Sequence, residues 1–147
     1  MANSLTFVVH SAAAPQGSKR HVGNGVMVES SKRVKPFRQD VRFTALDTVD
    51  PAWDRTGPMS LTVDFHFVRP KSHFTSKGAL TKRAPMFPTA RTVGDIEKLV
   101  RAVNDALAEV LFDDDSQVVE CHARKLYAET ALTIITLEHL DTPWPLN

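Results

Sequence analysis

Acidic side chains are concentrated between Asp95 and Asp115, and their types and spacing suggest metal chemistry. Asp95 and Glu97 are separated by one residue, and positions 113–115 are consecutive aspartates. Carboxylates a few ångströms apart repel each other by about 1 kcal/mol even in bulk water. A divalent metal, a basic neighbour or the hydration of an exposed turn would each offset this repulsion. Magnesium in proteins is usually held by one or two carboxylates together with substrate phosphate oxygens.

Each of these acidic residues also has an ordinary structural interpretation. Thr92 followed by Asp95 is close to a capping box, in which the carboxylate serves a helix N-terminus. Glu97 and Arg101 are four positions apart, the spacing of a surface ion pair on a helix. Asp95 lies at the start of the predicted helix and the aspartate run just past its far end, and a helix of that length separates its two ends by roughly 20 Å. The carboxylates therefore converge only beside a bundle of elements or across a subunit boundary.

Basic side chains fall into two segments that precede the acidic region. Acidic residues are sparse between Lys19 and Arg42 and absent from Phe65 to Gly94. This distribution predicts a polyanion bound by the basic segments and a cation bound by the acidic cluster, which suggests metal-assisted hydrolysis of a nucleic-acid phosphodiester. The side chains that we place against phosphate, each with a solvated surface charge as the alternative, are Lys19, Arg20, Arg69, Lys71, His73, Lys77, Lys82 and Arg83.

Length and composition predict one globular domain over residues 1–147, because 42% of the 147 residues are apolar and can form a real core. The lone cysteine, Cys121, excludes an internal disulfide and a Cys/His zinc site. No apolar stretch is long enough to span a bilayer, so we expect a soluble, cytoplasmic protein without membrane contacts.

Hydrophobic periodicity predicts an α+β fold, a single-domain mixed β-sheet with two main helices packed on it. The clearest strand is 59–68, where apolar and polar residues alternate. We expect further strands at 4–10 and 26–30, and a first helix over 32–46 that is capped by Ser30 or Ser31 and has Pro36 near its start. Residues 69–91 are predicted to form a long basic loop.

The second half of the chain predicts a helix followed by a hairpin. Thr92 opens the helix, and its apolar stripe is expected to be core: Ile96, Leu99, Val100, Val103, Leu107, Val110 and Leu111. Two strands, 116–128 and 130–140, are predicted to pair directly through a turn near Glu129. Residues 141–147 form a Pro-rich tail.

Four stretches resemble the RusA-like Holliday junction resolvases, which are common in phages and prophages. "APQGSKRHVGNG" is similar to the family's N-terminal Pro-x-Gly-Ser-Lys-Arg segment, and "FHFVRPKSHF" to a basic strand end. "GDIEKLVRAVNDAL" resembles the helix written Pro-Asp-x-Asp-Asn/Lys-Leu-x-Lys/Arg-Ala-x-x-Asp-Ala-Leu. "DDDSQVVECHARKLYA" resembles the Asp-Asp-x-Gln-Val strand that ends in lysine. These motifs span most of the chain in the family's order.

The resemblance implies a role for individual acidic and basic residues. Asp95, Glu97 and Asp115 take the places of the family's three acidic metal ligands, and Asp114 is the neighbouring aspartate of the pair. Arg101 occupies the catalytically important Lys/Arg position, and Lys125 matches the strand lysine, which we place among the DNA-binding residues. Asp113 is then expected to be a solvated turn residue.

The resemblance also implies a function. It predicts a homodimeric, magnesium-dependent endodeoxyribonuclease, with Mn²⁺ able to substitute, that resolves four-way DNA junctions by paired symmetric nicks in recombination and repair. No small-molecule substrate is expected, and a phage-encoded enzyme would act in the host cytoplasm. Two alternatives remain open: a branched-DNA binding protein of this fold with weak or lost cleavage, and a nuclease acting on other branched phage DNA.

Three departures from the family pattern affect these expectations. Gly94 stands where proline is usual, and Glu97 replaces an aspartate, which keeps the charge and lengthens the side chain by one methylene. Ala108 and Glu109 replace a pair of a small residue and glycine, which is expected to reshape the helix end.

Overall fold

A computed structural model describes residues 3–17, 19–21, 27–29 and 32–140 of the chain. The predicted Ser30 or Ser31 cap, the tail at 141–147 and the side chains of Lys19 and Arg20 lie outside the described part. The strands and helices are β1 (Ser4–Val9), β2 (Lys19–His21), β3 (Met27–Glu29), α1 (Val34–Thr48), β4 (Met59–Val68), α2 (Ile96–Leu107), β5 (Val118–Ala128) and β6 (Leu132–His139). Short 3₁₀ turns lie at Lys71–His73, Arg91–Val93 and Asp115–Gln117.

The fold is α+β, as predicted, with two helices and one mixed four-stranded sheet in the order β1-β6-β4-β5. β4 runs antiparallel to β6 and parallel to β5, while β2 and β3 form a separate antiparallel pair. The predicted hairpin of the last two strands is wrong, because β4 lies between them. β4 has the most deeply buried side chains of the sheet and takes a central position with partners on both sides, whereas the largely exposed β5 lies at an edge.

Both helices cover the face of the sheet on which alternate residues of β4 are fully buried. Leu61, Val63 and Phe65 on β4 join one core cluster with residues of both helices, including Phe37 of α1 and Leu99 of α2. Thr62, Asp64 and His66 are half-buried on the opposite face, where Asp64 accepts a hydrogen bond from Arg124. The alternation read from the sequence therefore predicted which side of β4 faces the core.

The second helix begins later than predicted. Thr92 lies in a 3₁₀ turn, and Asp95 is the residue that precedes the helix, without a capping hydrogen bond from its side chain. The predicted capping box is therefore wrong, because Gly94, with φ of 99°, turns the chain between Thr92 and the helix. Ile96 was predicted to belong to the core, but its side chain is 38% exposed.

The apolar stripe of the second helix extends past the helix end. α2 ends at Leu107, and Val110 and Leu111 are buried in the turn that follows it. The 3.6-residue spacing thus correctly predicted that Val110 and Leu111 are buried, although neither residue lies in the helix. Val100 packs against the core but is only partly buried.

The first helix is preceded by Arg33, whose side chain forms no capping hydrogen bond. The helix thus begins at Val34, two residues later than the predicted start, while the predicted serine cap lies outside the described residues. Pro36 lies in the first turn of the helix, where a missing N–H costs no intrahelical bond. No helix within the described ranges has the length and apolar character needed to cross a membrane.

Candidate active site

A cavity of about 380 Å³ lies against α2 and brings together three of the predicted site residues. Glu97 and Arg101, one helical turn apart, line it together with Asp115. Lys98 and Asn104 also line this cavity, which we call the acidic cavity. The sequence had placed Asp115 just past the far end of the helix, whose two ends are roughly 20 Å apart. Asp115 reaches the side of the helix because the chain reverses direction after Leu107.

The reversal after α2 depends on one residue in the left-handed region of backbone conformation. Glu109 has φ of 69° and is the only non-glycine residue with a positive φ in the described part of the chain. The N–H of Leu111 donates to the carbonyl of Leu107 at 2.9 Å, and Trp53 Nε1 donates to the carbonyl of Leu111 at 2.8 Å. Glu109 thus adopts a backbone conformation for which the family's usual glycine is suited, and the expected reshaping of the helix end stays a prediction.

The three consecutive aspartates have three different environments. Asp113 forms an ion pair with Arg55 at 2.8 Å, so it is not merely solvated as expected. The side-chain hydroxyl of Ser116, and after it the Ser116 backbone N–H at 3.0 Å, donate hydrogen bonds that lower the pKa of the Asp114 carboxyl group. Asp115 is the aspartate that lines the acidic cavity. The assignment of Asp114 as a metal ligand stays a prediction, and its carboxylate caps the 3₁₀ turn Asp115–Gln117.

Gln117 fixes the aspartate turn to the rest of the protein, a role that the sequence motif did not reveal. Its Oε1 accepts hydrogen bonds from the backbone N–H groups of Asp113 at 2.8 Å and Asp114 at 3.0 Å. Its Nε2 donates to the carbonyl oxygens of Arg55 at 2.8 Å and Gly57 at 2.9 Å. A glutamine can make all four bonds because its amide carries both an acceptor and two donors.

Asp95 lies outside the acidic cavity and lines an adjoining one, and Lys98 contributes to both. Lys125, on β5, donates a hydrogen bond from Nζ to the carbonyl oxygen of Gly94 at 3.1 Å. This bond ties the edge strand to the residue before Asp95. The structure therefore gives Lys125 a contact that positions the start of α2, while its predicted contact with DNA stays a prediction.

Comparison with known proteins decides the family. The model of the RusA endodeoxyribonuclease family matches residues 10–138. The chain belongs to the RusA family. It is also 32% identical over 127 residues to the uncharacterized protein YqaN of Bacillus subtilis (strain 168), a match that covers 85% of this chain and 89% of that protein. The resemblance inferred from the four motifs is thereby confirmed.

The carboxylates of this RusA-family chain fit a metal ion that is shared with substrate. No group of three or more His, Cys, Asp or Glu side chains in the described residues is arranged to hold a metal ion alone. Glu97 and Asp115 nevertheless provide two carboxylates on one cavity. This donor set suits magnesium, which keeps open positions for water and phosphate oxygens. The ion pair suggested by the spacing of Glu97 and Arg101 is not among the ion pairs of the described residues.

Most of the side chains of the long basic loop that we predicted to contact DNA are exposed to solvent. Its exposed cationic side chains are Lys71, Lys77, Lys82 and Arg83. Arg69 differs, because its guanidinium donates to the carbonyl of Pro85 at 2.8 Å and lies 4.3 Å from the ring centroid of Tyr127. His73 packs edge-on against the same ring, at 5.4 Å between centroids. Arg69 and His73 therefore anchor the loop to β5, and their contact with phosphate stays a prediction.

Proposed function

We propose that this protein is a magnesium-dependent endodeoxyribonuclease that resolves four-way DNA junctions by paired symmetric nicks. The observation that carries the proposal is the acidic cavity, where Glu97, Arg101 and Asp115 meet in a chain of the RusA family. Mn²⁺ is expected to replace Mg²⁺, because both accept carboxylate and water oxygens as ligands. A nuclease of this kind would work in the cytoplasm, and in that of the host if a phage encodes it.

The chemistry of the cavity follows from the charges that line it. Glu97 and Asp115 would hold the metal ion together with an oxygen of the scissile phosphate, and Asp95 would approach from the adjoining cavity. A bound metal ion would supply Lewis acidity and a more acidic water. Arg101 would stabilise the negative charge that develops on the phosphate oxygens, since a preformed cation costs no reorganisation during the reaction. Lys125 would keep Asp95 in place through the Gly94 carbonyl.

A homodimer is part of the proposal. Resolution of a four-way junction requires two matched nicks, and a two-fold axis supplies two equivalent active sites. The exposed cations of the long loop, together with Lys19 and Arg20, would contact the phosphates of the junction arms and position them without reading bases. We expect strongly salt-dependent binding for that reason, because each neutralised phosphate releases counterions.

The test is cleavage of a labelled synthetic four-way junction and of its linear duplex control, with and without Mg²⁺. We expect nicks only in the junction and only with the metal ion. Asp115→Asn should abolish nicking while preserving junction binding, because an amide is a poorer ligand for a hard cation. Asp113→Asn is the matched control, since Asp113 pairs with Arg55 outside the cavity, and it should nick at close to the wild-type rate. Asp114→Asn should fall between the two.

Equal nicking by all three asparagine variants would remove Asp115 from the site. Nicking of the linear duplex at the same rate would contradict junction specificity. Nicking of flapped or Y-shaped DNA in preference to the four-way junction would favour the alternative nuclease, which acts on other branched phage DNA. These three results are separable in one set of gels, because the substrates and variants are matched.

A branched-DNA binding protein with weak or lost cleavage is the second candidate, and Glu97 is the observation that favours it. Its side chain is one methylene longer than the family's aspartate and lines the cavity, so the position of its carboxylate differs. Under this alternative, wild-type nicking is negligible and Glu97→Asp raises it without a change in junction affinity. Under the first proposal, wild-type protein nicks efficiently and Glu97→Asp brings little gain.

A further inference from the structure

A second cavity, of about 670 Å³, adjoins the acidic cavity across Lys98. Its described lining includes four cationic side chains, Lys32, Arg33, Arg91 and Lys98. Asp95 is the single carboxylate among these lining residues. We call it the basic cavity. None of its four cations is among the individual residues that the sequence led us to place against phosphate, although Lys32, Arg33 and Arg91 lie in the two basic segments.

The four cations of the basic cavity form no ion pair with a carboxylate of the described residues. Cations gathered in a concave site repel one another and concentrate anions from solution. With four cations and one carboxylate among its described lining residues, the cavity has the electrostatics of an anion site.

The walls of the basic cavity are held in place by hydrogen bonds. Arg33 donates to the carbonyl of Thr92 at 3.0 Å, which joins the start of α1 to the turn before α2. The backbone N–H of Gln16 donates to the carbonyl of Lys98 at 2.9 Å, and the Gln16 side chain accepts from Arg38 at 2.8 Å. The start of α2 also lies on this wall, where the helix dipole favours an anion. A fixed arrangement of this kind binds with a smaller loss of side-chain entropy.

We propose that the basic cavity is a phosphate-binding subsite for the DNA strand that continues from the scissile phosphate. The proposal rests on the nuclease function argued above and extends it to a site beyond the metal ligands. Lys98 lies on both cavities, so one strand can place neighbouring phosphates in the two. The volume lies in the range of sites that hold small ligands, which is sufficient for one sugar-phosphate unit.

Substitutions in the basic cavity test this assignment through the salt dependence of junction binding. Lys32→Ala and Arg91→Ala are the informative variants, because both side chains are exposed and their loss disturbs no described contact. Arg33 is avoided because it supports Thr92. Each variant should lower the slope of log affinity against log salt by about 1, since one phosphate contact is lost. The double variant should lower it by about 2.

Lys35→Ala is the matched control. Lys35 is an exposed lysine on α1, close to Lys32 in sequence, and it lines a different cavity. This variant should keep the wild-type salt slope and the wild-type KM for a labelled junction. Lys32→Ala and Arg91→Ala should raise the KM, with little change in kcat at saturating substrate. Slopes for the two cavity variants that equal those of wild type and Lys35→Ala would overturn the subsite.

A direct probe separates this inference from the nuclease function. A 5′-phosphorylated tetradeoxynucleotide, added without metal ion, should shift the amide NMR signals of Gly17 and Gly94, two residues that line the basic cavity. The Lys32→Ala, Arg91→Ala double variant should lose these shifts, and Lys35→Ala should keep them. If these shifts are seen while wild-type protein nicks no branched DNA, the subsite stands and the nuclease proposal fails. If the junction is nicked but the tetranucleotide shifts neither amide, the subsite is overturned and the nuclease proposal stands.

Discussion

Replacing Gly94 by alanine should destabilise the protein strongly, for two reasons that the structure separates. Gly94 has φ of 99° and ψ of 158°, a region that is essentially restricted to glycine. An alanine Cβ at this position would lie 2.6 Å from Pro15 Cγ and 2.7 Å from Pro15 Cβ. Strained backbone costs of order 1–3 kcal/mol, and overpacking a closed contact costs typically about 1–3 kcal/mol. We therefore expect Gly94→Ala to lower the free energy of unfolding by about 2–6 kcal/mol.

Pro15 has little freedom to move away from a new methyl group. The next residue, Gln16, is buried, and its N–H donates to the carbonyl of Lys98 at 2.9 Å. Displacement of the proline ring would disturb that bond and with it the start of α2. The nicking rate of Gly94→Ala should therefore fall together with stability, because Asp95 follows Gly94 directly.

The measurement is denaturant unfolding of Gly94→Ala in the wild-type background and in a Pro15→Gly background. Pro15→Gly removes the ring atoms that the methyl group would meet, so the cost of Gly94→Ala should fall there to the backbone share of about 1–3 kcal/mol. An equal cost in both backgrounds would refute the steric argument. A cost below about 0.5 kcal/mol in the wild-type background would refute both arguments, since that is the scatter of neutral surface substitutions.

Three further predictions concern the turns and the open face of the sheet. Glu109→Gly should raise the free energy of unfolding by about 0.5–1 kcal/mol in denaturant titrations, because glycine tolerates the positive φ of this residue. Gln117→Glu should lower both stability and nicking rate, since a carboxylate cannot donate to the carbonyls of Arg55 and Gly57. The Arg124 hydrogen bond lowers the pKa of Asp64 below 3.8, so its contribution is present above that value and is lost as pH falls below it. Acid titration of wild-type protein should therefore show a steeper loss of stability below that pH than Asp64→Asn.

The sequence predicted local features of the fold well and the order of the strands poorly. Strand β4 was predicted from the alternation of Met59 to Val68, a property that these residues carry themselves. The pairing of β5 with β4 rather than with β6 depends on the burial of all three strands together. A direct hairpin was the natural inference from a short connection, because adjacent antiparallel strands usually pair. The order of the strands is decided instead by burial: β4, the strand with the most deeply buried side chains, is covered best when it has a neighbouring strand on each side.

The sequence named three residues that the structure brings to one cavity, but it did not predict how the other candidate site residues are arranged. Motif matching identified Glu97, Arg101 and Asp115, which do line one cavity. It did not indicate that Asp95 would lie on a different cavity, because that depends on the positive φ of Gly94. Nor did it indicate that Arg69 contacts Pro85 and Tyr127 instead of facing solvent. Both partners are distant from Arg69 in sequence.

The run of three aspartates shows why identical neighbouring residues can have unequal roles. Asp115 begins a 3₁₀ turn, in which successive side chains point about 120° apart, and Asp114 caps that turn. Adjacent carboxylates therefore diverge, and their mutual repulsion is offset by separate partners: Arg55 for Asp113 and the Ser116 N–H for Asp114. Asp115 alone lines the cavity beside α2. Because Asp115 is the one aspartate of the three that lines the cavity, the proposed function predicts that asparagine at each position affects cleavage differently, although each substitution removes the same charge from the same turn.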